Sequence, residues 1–339
     1  MLRMNNRIAL GSNLGKSIGN GTTNRYFTTL QSASSQYYNI PTVTLTGDFQ
    51  IEVDFSLTSL TGDHCLIGDS TGQNTIRVDA TNGGIDVFIG GVLTIVSDGS
   101  FTADSKFNNM LFKRVGTTWT IEYNGVQIYT NTIALSNFEC STISKRFGAF
   151  PNYFNGVISE VKITDGTDLI RYYKLDEDLS ATSTIIDSGS DGSNGTAISI
   201  SSSELFTLVG NDWEGSELVV NGDFSTDTVW TKGTGVTIAS GVCSSDGTVS
   251  AYSTLISQNG IIIVGYRYKT SYDVLNISQD GLKLILGNNA LTNRTTNGTF
   301  EEIDNCETNT NFLLNAATGS GKFIGDIDNV SCKRILQAP

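Results

Sequence analysis

An all-β fold of two tandem antiparallel β-sandwiches is what this sequence predicts, and three observations predict it. Short runs in which apolar and polar residues alternate, the period of a half-buried strand, recur along the 339 residues. Turn residues separate those runs, with 36 glycines in the chain and Asn-Gly steps at Asn124-Gly125 and Asn155-Gly156. The composition, 38% hydrophobic and 16% charged, can fill two cores but lacks the Glu, Lys and Ala runs that favour helices.

The elements follow in order. Residues 1–24 are rich in Asn, Gly, Ser and Thr without periodicity, which predicts an extended arm that gains order from a packed neighbour, with Ile8, Leu10, Leu14 and Ile18 as small apolar anchors. Residues 25–30 read as the first strand of the first sandwich, 31–35 as a polar turn, and 37–41 as a second strand ended by Pro41. Residues 47–55 alternate with Phe49, Ile51, Val53 and Phe55 inward. Further strands are predicted at 75–78, 85–89, 92–96, 109–115, 118–123 and 126–129, the last two joined by a hairpin turn at Asn124-Gly125. A strand at 146–148 and a tight turn at Asn155-Gly156 then lead into 157–163. There strict alternation puts Val157, Ser159, Val161 and Ile163 on one face and Ile158, Glu160 and Lys162 on the other. A Gly/Ser/Asn-rich turn region at 187–196 and a linker start at 199–203 precede a second unit with strands at 235–243, 248–256, 261–268, 282–286 and 299–303.

Several of these segments resemble known families. The aromatic strand at 37–41, Asp48-Phe49-Gln50-Ile51, the hairpin with Trp119 and Tyr123-Asn124-Gly125, and Phe154-Asn155-Gly156 with its alternating strand resemble, in that order, laminin-G-like, concanavalin-type lectin domains. Gln36 stands where that family usually has Asp. Residues 187–196 resemble a segment that accompanies such sandwiches in phage and bacterial surface proteins. Asn221-Gly222-Asp223-Phe224 and Ile327-Asp328-Asn329-Val330 resemble the two ends of jelly-roll carbohydrate-binding modules. The resemblance implies an arm at 1–24, a lectin-like sandwich at 25–203 and a jelly roll at 204–339. It also implies a structural Ca²⁺ at Asp223 and Asp328, although Ser225 stands where the modules have Glu.

The chemistry the residues allow favours binding. The sole histidine, His64, reads as a turn residue, so a nucleophile-histidine-acid triad is not expected. Glu52 and Asp54 share a strand face opposite Phe49, Ile51, Val53 and Phe55, which predicts two solvated carboxylates rather than a glycosidase pair. The glycine runs at 11–17 and 319–322 depart from a phosphate loop in spacing or in the hydroxyl residue. Asp187 and Asp191 take two positions of a calcium loop whose third and twelfth positions hold Gly189 and Ile198. Five cysteines without a close pair signal neither a zinc site nor a disulfide framework.

A net charge of −13 argues against nucleic acid, which needs a basic footprint. No apolar run approaches the roughly 20 residues of a membrane-spanning helix, and residues 1–21 lack the apolar core of a secretory signal. Stacking on sugar rings needs exposed aromatic faces, and Tyr153, Tyr266, Tyr268 and Tyr272 are the candidates, with Trp119 and Trp230 assigned to the core. The expectation is a non-enzymatic bacteriophage virion protein, a fibre, spike or vertex appendage. It would be held to other virion proteins by its arm, assembled in the host cytoplasm, presented as a homotrimer, and directed at host surface polysaccharide. A capsid decoration protein without a ligand and a glycan-degrading enzyme are the alternatives.

Overall fold

The computed structural model describes residues 24–58, 61–79, 83–97, 101, 106–134, 136–148, 152–250, 252–317 and 322–337. The arm expected at 1–24 lies outside them except for Asn24, as do the glycine run at 11–17 and most of the one at 319–322. Across the described residues the chain is built from antiparallel β-strands, with one short 3-10 turn at Ser32–Ser34.

Two sheets enclose the first core. One has six strands in the order Val126–Thr132, Thr118–Tyr123, Asn108–Val115, Phe49–Leu57, Gly156–Asp165, Asp168–Tyr173. The other has eight, from Thr184–Ile185 and Gly195–Ile198 through Tyr37–Leu45, Phe138–Ile143, His64–Gly68, Thr75–Val78 and Ile85–Ile89 to Val92–Val96. Phe49, Ile51, Val53 and Phe55 point into this core, as their alternation requires, and Phe49 packs edge-on against Trp119 at 5.6 Å. The Asn124-Gly125 hairpin is present, with both residues at positive φ as a two-residue turn demands.

A second core lies between an eight-stranded sheet centred on Ile324–Gln337 and a five-stranded sheet centred on Phe312–Ala316. Trp230 packs in it, as expected. All five cysteines are buried and free.

Local physics explains where the strands depart from the sequence reading. Pro41 does not end its strand, which runs Tyr37–Leu45. Its neighbour Gly195–Ile198 pairs only as far as Asn39, and the ladder to Phe138–Ile143 is irregular between Cys140 and Thr142, so the missing N–H costs little. The strand Gly156–Asp165 carries a bulge at Ser159, between Ile158 and Glu160. The bulge shifts the alternation, so Ile158 joins Val161 and Ile163 in the first core while Val157, equally buried, points to the opposite face of the sheet, contrary to strict alternation. Residues 235–243 form a hairpin, Val236–Ala239 and Val242–Asp246, with Ser240 and Gly241 at positive φ, instead of one strand. The run at 261–264 is not a strand; the strand there is Arg267–Gln279.

The opening strand behaves differently from expectation as well. Asn24–Phe27 pairs with Glu204–Val209 and so extends the eight-stranded sheet of the second sandwich. Its Phe27 ring then lies between the sandwiches, 5.7 Å from Phe107, 5.5 Å from Phe206 and 5.3 Å from Trp213, with Val157 and Leu336 completing a third small core. Arg25 rests on this cluster, 5.2 Å from the Phe27 ring, and reaches the Ser159 and Lys174 carbonyls.

Candidate functional site

The residues that gather into a site come from three separated segments. Residues 31–36 form a loop around the Ser32–Ser34 turn; 61–64 lead into His64–Gly68; and Asn152–Tyr153 pairs with Lys145–Arg146 in a two-stranded ribbon. Together Ser32, Ala33, Thr61, Gly62, Asp63, Asn152, Tyr153 and Asn155 line an open depression of about 360 Å³.

Four of the lining residues, Ser32, Asp63, Asn152 and Asn155, are held by hydrogen bonds or an ion pair. Asn155 donates its backbone N–H to His64 Nδ1 at 3.3 Å and accepts the Ser32 N–H on Oδ1 at 2.7 Å, which locks the first segment to the third. Gly156 follows at φ 142°, exchanging backbone hydrogen bonds with Leu30; a Cβ there would meet the Ser56 carbonyl at 2.0 Å. The Asn155-Gly156 step is therefore a close backbone approach and not the hairpin turn that its residues suggest. Asp63 pairs with Arg77 and accepts from the Asn152 amide at 3.0 Å. Arg77 is shared with Asp86 at 2.7 Å and Asp79 at 4.0 Å, and lies 4.9 Å over the Phe88 ring.

His64 is not a turn residue. It begins a strand with no exposed surface, and its ring meets Phe154 edge-on at 6.0 Å. Burial pushes its pKa down to about 4, so at neutral pH it is the uncharged acceptor that Asn155 requires. Cys65 beside it is fully buried, and burial pushes its thiol up out of reach of ionisation. Neither group faces the depression as a nucleophile or base. What the depression does present is a half-buried phenol ring, two amides and one carboxylate, a set that stacks on an apolar ring face and hydrogen-bonds hydroxyls.

Of the expected aromatic candidates the structure brings only Tyr153 to this place. Tyr268 and Tyr272 lie on the inward face of Arg267–Gln279 and Tyr266 just before it, at 1%, 0% and 7% exposure. Arg334 covers Tyr266 at 3.9 Å, the Tyr268 hydroxyl accepts the Ile263 N–H at 2.7 Å, and Tyr272 packs on Phe300 at 5.9 Å. Their rings have no face left for a sugar, which corrects the expectation for all three. The sequence marked Asn155 only as a turn residue, and Asp63 and Asn152 carried no functional signal, because only the fold joins these three polar residues.

At the expected cation positions each carboxylate holds a turn of its own. Asp223 accepts the Ser225 N–H at 3.3 Å and Asp328 the Asn329 N–H at 2.7 Å, each closing its own turn. Among the described residues no three His, Cys, Asp or Glu side chains gather as metal ligands. In the loop at 187–193 the Asp187 carboxylate accepts three backbone N–H groups, of Tyr172, Gly189 and Ser193, at 2.7, 2.8 and 2.9 Å. The Arg171 guanidinium, paired with Asp191 and 3.8 Å from Asp187, supplies the positive charge there.

Glu52 and Asp54 are not a solvated pair. Asp54 is 6% exposed, and the Asn109 amide donates to Glu52 at 2.8 Å and to Asp54 at 2.6 Å. Lys162 joins Glu52 at 3.8 Å to Glu160 at 3.0 Å. Burial, with Glu160 and Glu52 adding to it, pushes Asp54 up to about 6.

Comparison with known proteins adds the following. No protein-family model matches the chain, and no curated protein matches it. Among solved structures, a Bacteroides ovatus protein named for carbohydrate binding is similar at 16% identity and a TM-score of 0.43, over 55% of this chain and 60% of that one. Domains LG4-5 of the mouse laminin α1 chain are similar at 10% identity and a TM-score of 0.35, over 94% and 95%. A botulinum neurotoxin type C structure, titled for ganglioside-dependent cell entry, is similar at 9% identity and a TM-score of 0.27, over 94% and 89%. Likenesses at this level carry no argument about what this chain does.

Proposed function

We propose that the protein binds glycans without cleaving them, at the depression around Tyr153. The observation that carries this is the combination of one half-buried aromatic ring with the Asp63, Asn152 and Asn155 polar groups around an open space of about 360 Å³. That is room for one or two sugar rings, within the usual range of small-molecule sites. The binding reading is favoured over the enzyme reading by the lining: Asp63 is its one carboxylate, and a glycosidase needs two.

The setting we propose is the surface of a bacteriophage particle. Support comes from the sequence resemblance at 187–196 to a segment that accompanies such sandwiches in phage and bacterial surface proteins, and from the polar composition of residues 1–24, which would run along other virion proteins. Several copies, a homotrimer in this reading, would give weak single sites useful avidity.

A printed glycan panel probed with the whole chain tests the proposal. The expected result is binding to a defined subset, loss of that binding in Tyr153→Ala by at least about fivefold, as expected for losing an aromatic contact worth about 1 kcal/mol or more, and no release of reducing ends. Reducing ends that appear with wild type and vanish in Asp54→Asn would establish the enzyme alternative. Silence on every panel and on host cells, with particles that fall apart without the protein, would establish the decoration alternative.

A further inference from the structure

We infer that the sugar bound at Tyr153 is acidic, and that Lys145 selects it by pairing with its carboxylate. This rests on the reading of the Tyr153 depression as a glycan site. Lys145 lies directly across the two-stranded ribbon from Tyr153, and Arg146 across from Asn152. Cross-strand partners project to the same face, so the Lys145 side chain and the Tyr153 ring are neighbours.

What surrounds the Lys145 ammonium is unusual for this chain. Three rings enclose it, with centroids 4.0 Å away for Tyr37, 3.8 Å for Phe147 and 5.4 Å for Tyr153. The rings brace one another, Tyr37 being 6.1 Å from Phe147 and 6.4 Å from Tyr153. Ring faces attract a cation but accept its three N–H groups poorly. Among the described residues Lys145 makes no ion pair, and neither does Arg146, whose guanidinium lies 4.1 Å over Phe88. At least ten other Lys and Arg side chains do make ion pairs. In a chain with 34 acidic residues against 21 basic ones, two adjacent cations are left to aromatic faces on the strand that pairs with Asn152 and Tyr153, two of the residues lining the depression.

The charges around that depression also fix the orientation. Asp63 would repel a carboxylate, and Arg77, which partly offsets it, is itself shared with Asp79 and Asp86. An acidic sugar therefore lies with its hydroxyls toward Asp63 and the Asn152 and Asn155 amides, its ring on Tyr153, and its carboxylate toward Lys145. The rings cover part of the half-buried Lys145 side chain, so the pair gains more than a fully solvated one would. A neutral sugar can use Tyr153 and the amides and leaves Lys145 as it stands.

Matched glycans titrated into wild type, Lys145→Met and Tyr153→Ala test this. Lactose, 3′-sialyllactose, a hyaluronan hexasaccharide and 3′-sulfolactose serve as probes together with the neutral and acidic members that the panel selects. Wild type is expected to bind carboxylated members at least about tenfold tighter than their neutral counterparts, with the preference shrinking at high salt. Lys145→Met should keep neutral binding and thermal midpoint while losing that preference. The inference is overturned if wild type prefers neutral or sulfated members, or if Lys145→Met keeps the full preference for carboxylates. Failure of the underlying reading looks different: wild type binds no glycan, or Tyr153→Ala binds all of them as wild type does.

Discussion

Trp213→Ala should cost about 3 to 5 kcal/mol of stability, the usual range for removing a large aromatic side chain from a packed core. Trp213 is 3% exposed and holds Phe27 at 5.3 Å, and Phe27 in turn touches Phe107 of the first sandwich and Phe206 of the second. The loss falls on the junction, since neither of the two large cores includes these residues. Urea unfolding followed by fluorescence should therefore change from one transition toward two, as the sandwiches lose their common brace. A single, unshifted transition would show that the third core does not couple them.

The second large effect is a pair of opposed pH dependences. His64 has its folded pKa pushed by burial from 6.5 to about 4. Its contribution to stability is complete above pH 6.5 and is lost as the pH falls toward 4, because the unfolded chain takes the proton first. The total is about 3 kcal/mol at 1.36 kcal/mol per unit. Asp54 has its folded pKa raised from 3.8 to about 6, mainly by burial. Here the folded chain takes the proton first, so stability rises by about 3 kcal/mol as the pH falls from 6 to 3.8. The two largely cancel in wild type. Between pH 7 and 4 the stability of wild type relative to His64→Gln should fall, while that relative to Asp54→Asn should rise. Parallel profiles for all three proteins would sink both assignments.

The strands that the sequence made legible are those whose information is local. Phe49–Leu57 announces itself by four inward apolar residues in alternation, and the hairpin after Tyr123 by an Asn-Gly step that accepts positive φ. Phe138–Ile143 was not legible. It runs between two neighbours in the middle of its sheet and buries five of its six residues, so Phe138-Glu-Cys-Ser-Thr-Ile shows no alternation. The partner of Asn24–Phe27 is the strand that begins at Glu204, where Phe27 pairs with Glu204 and Asn24 with Thr207, and such distant pairing leaves no local trace. Tyr266, Tyr268 and Tyr272 show the limit most directly: their spacing says that they share a face but not whether that face looks to solvent or core. Tyr153 could be named, whereas Asp63 and Asn155 reach it only through the His64 and Ser32 hydrogen bonds that the folded chain supplies.

A crystal structure of the whole chain with the tightest glycan from the panel tests the central claim most directly. The account predicts a pyranose ring on the face of Tyr153 with its hydroxyls on Asp63, Asn152 and Asn155. A glycan seated elsewhere on the protein, with the Tyr153 depression unoccupied in the same crystal and no neighbouring molecule blocking it, would contradict it.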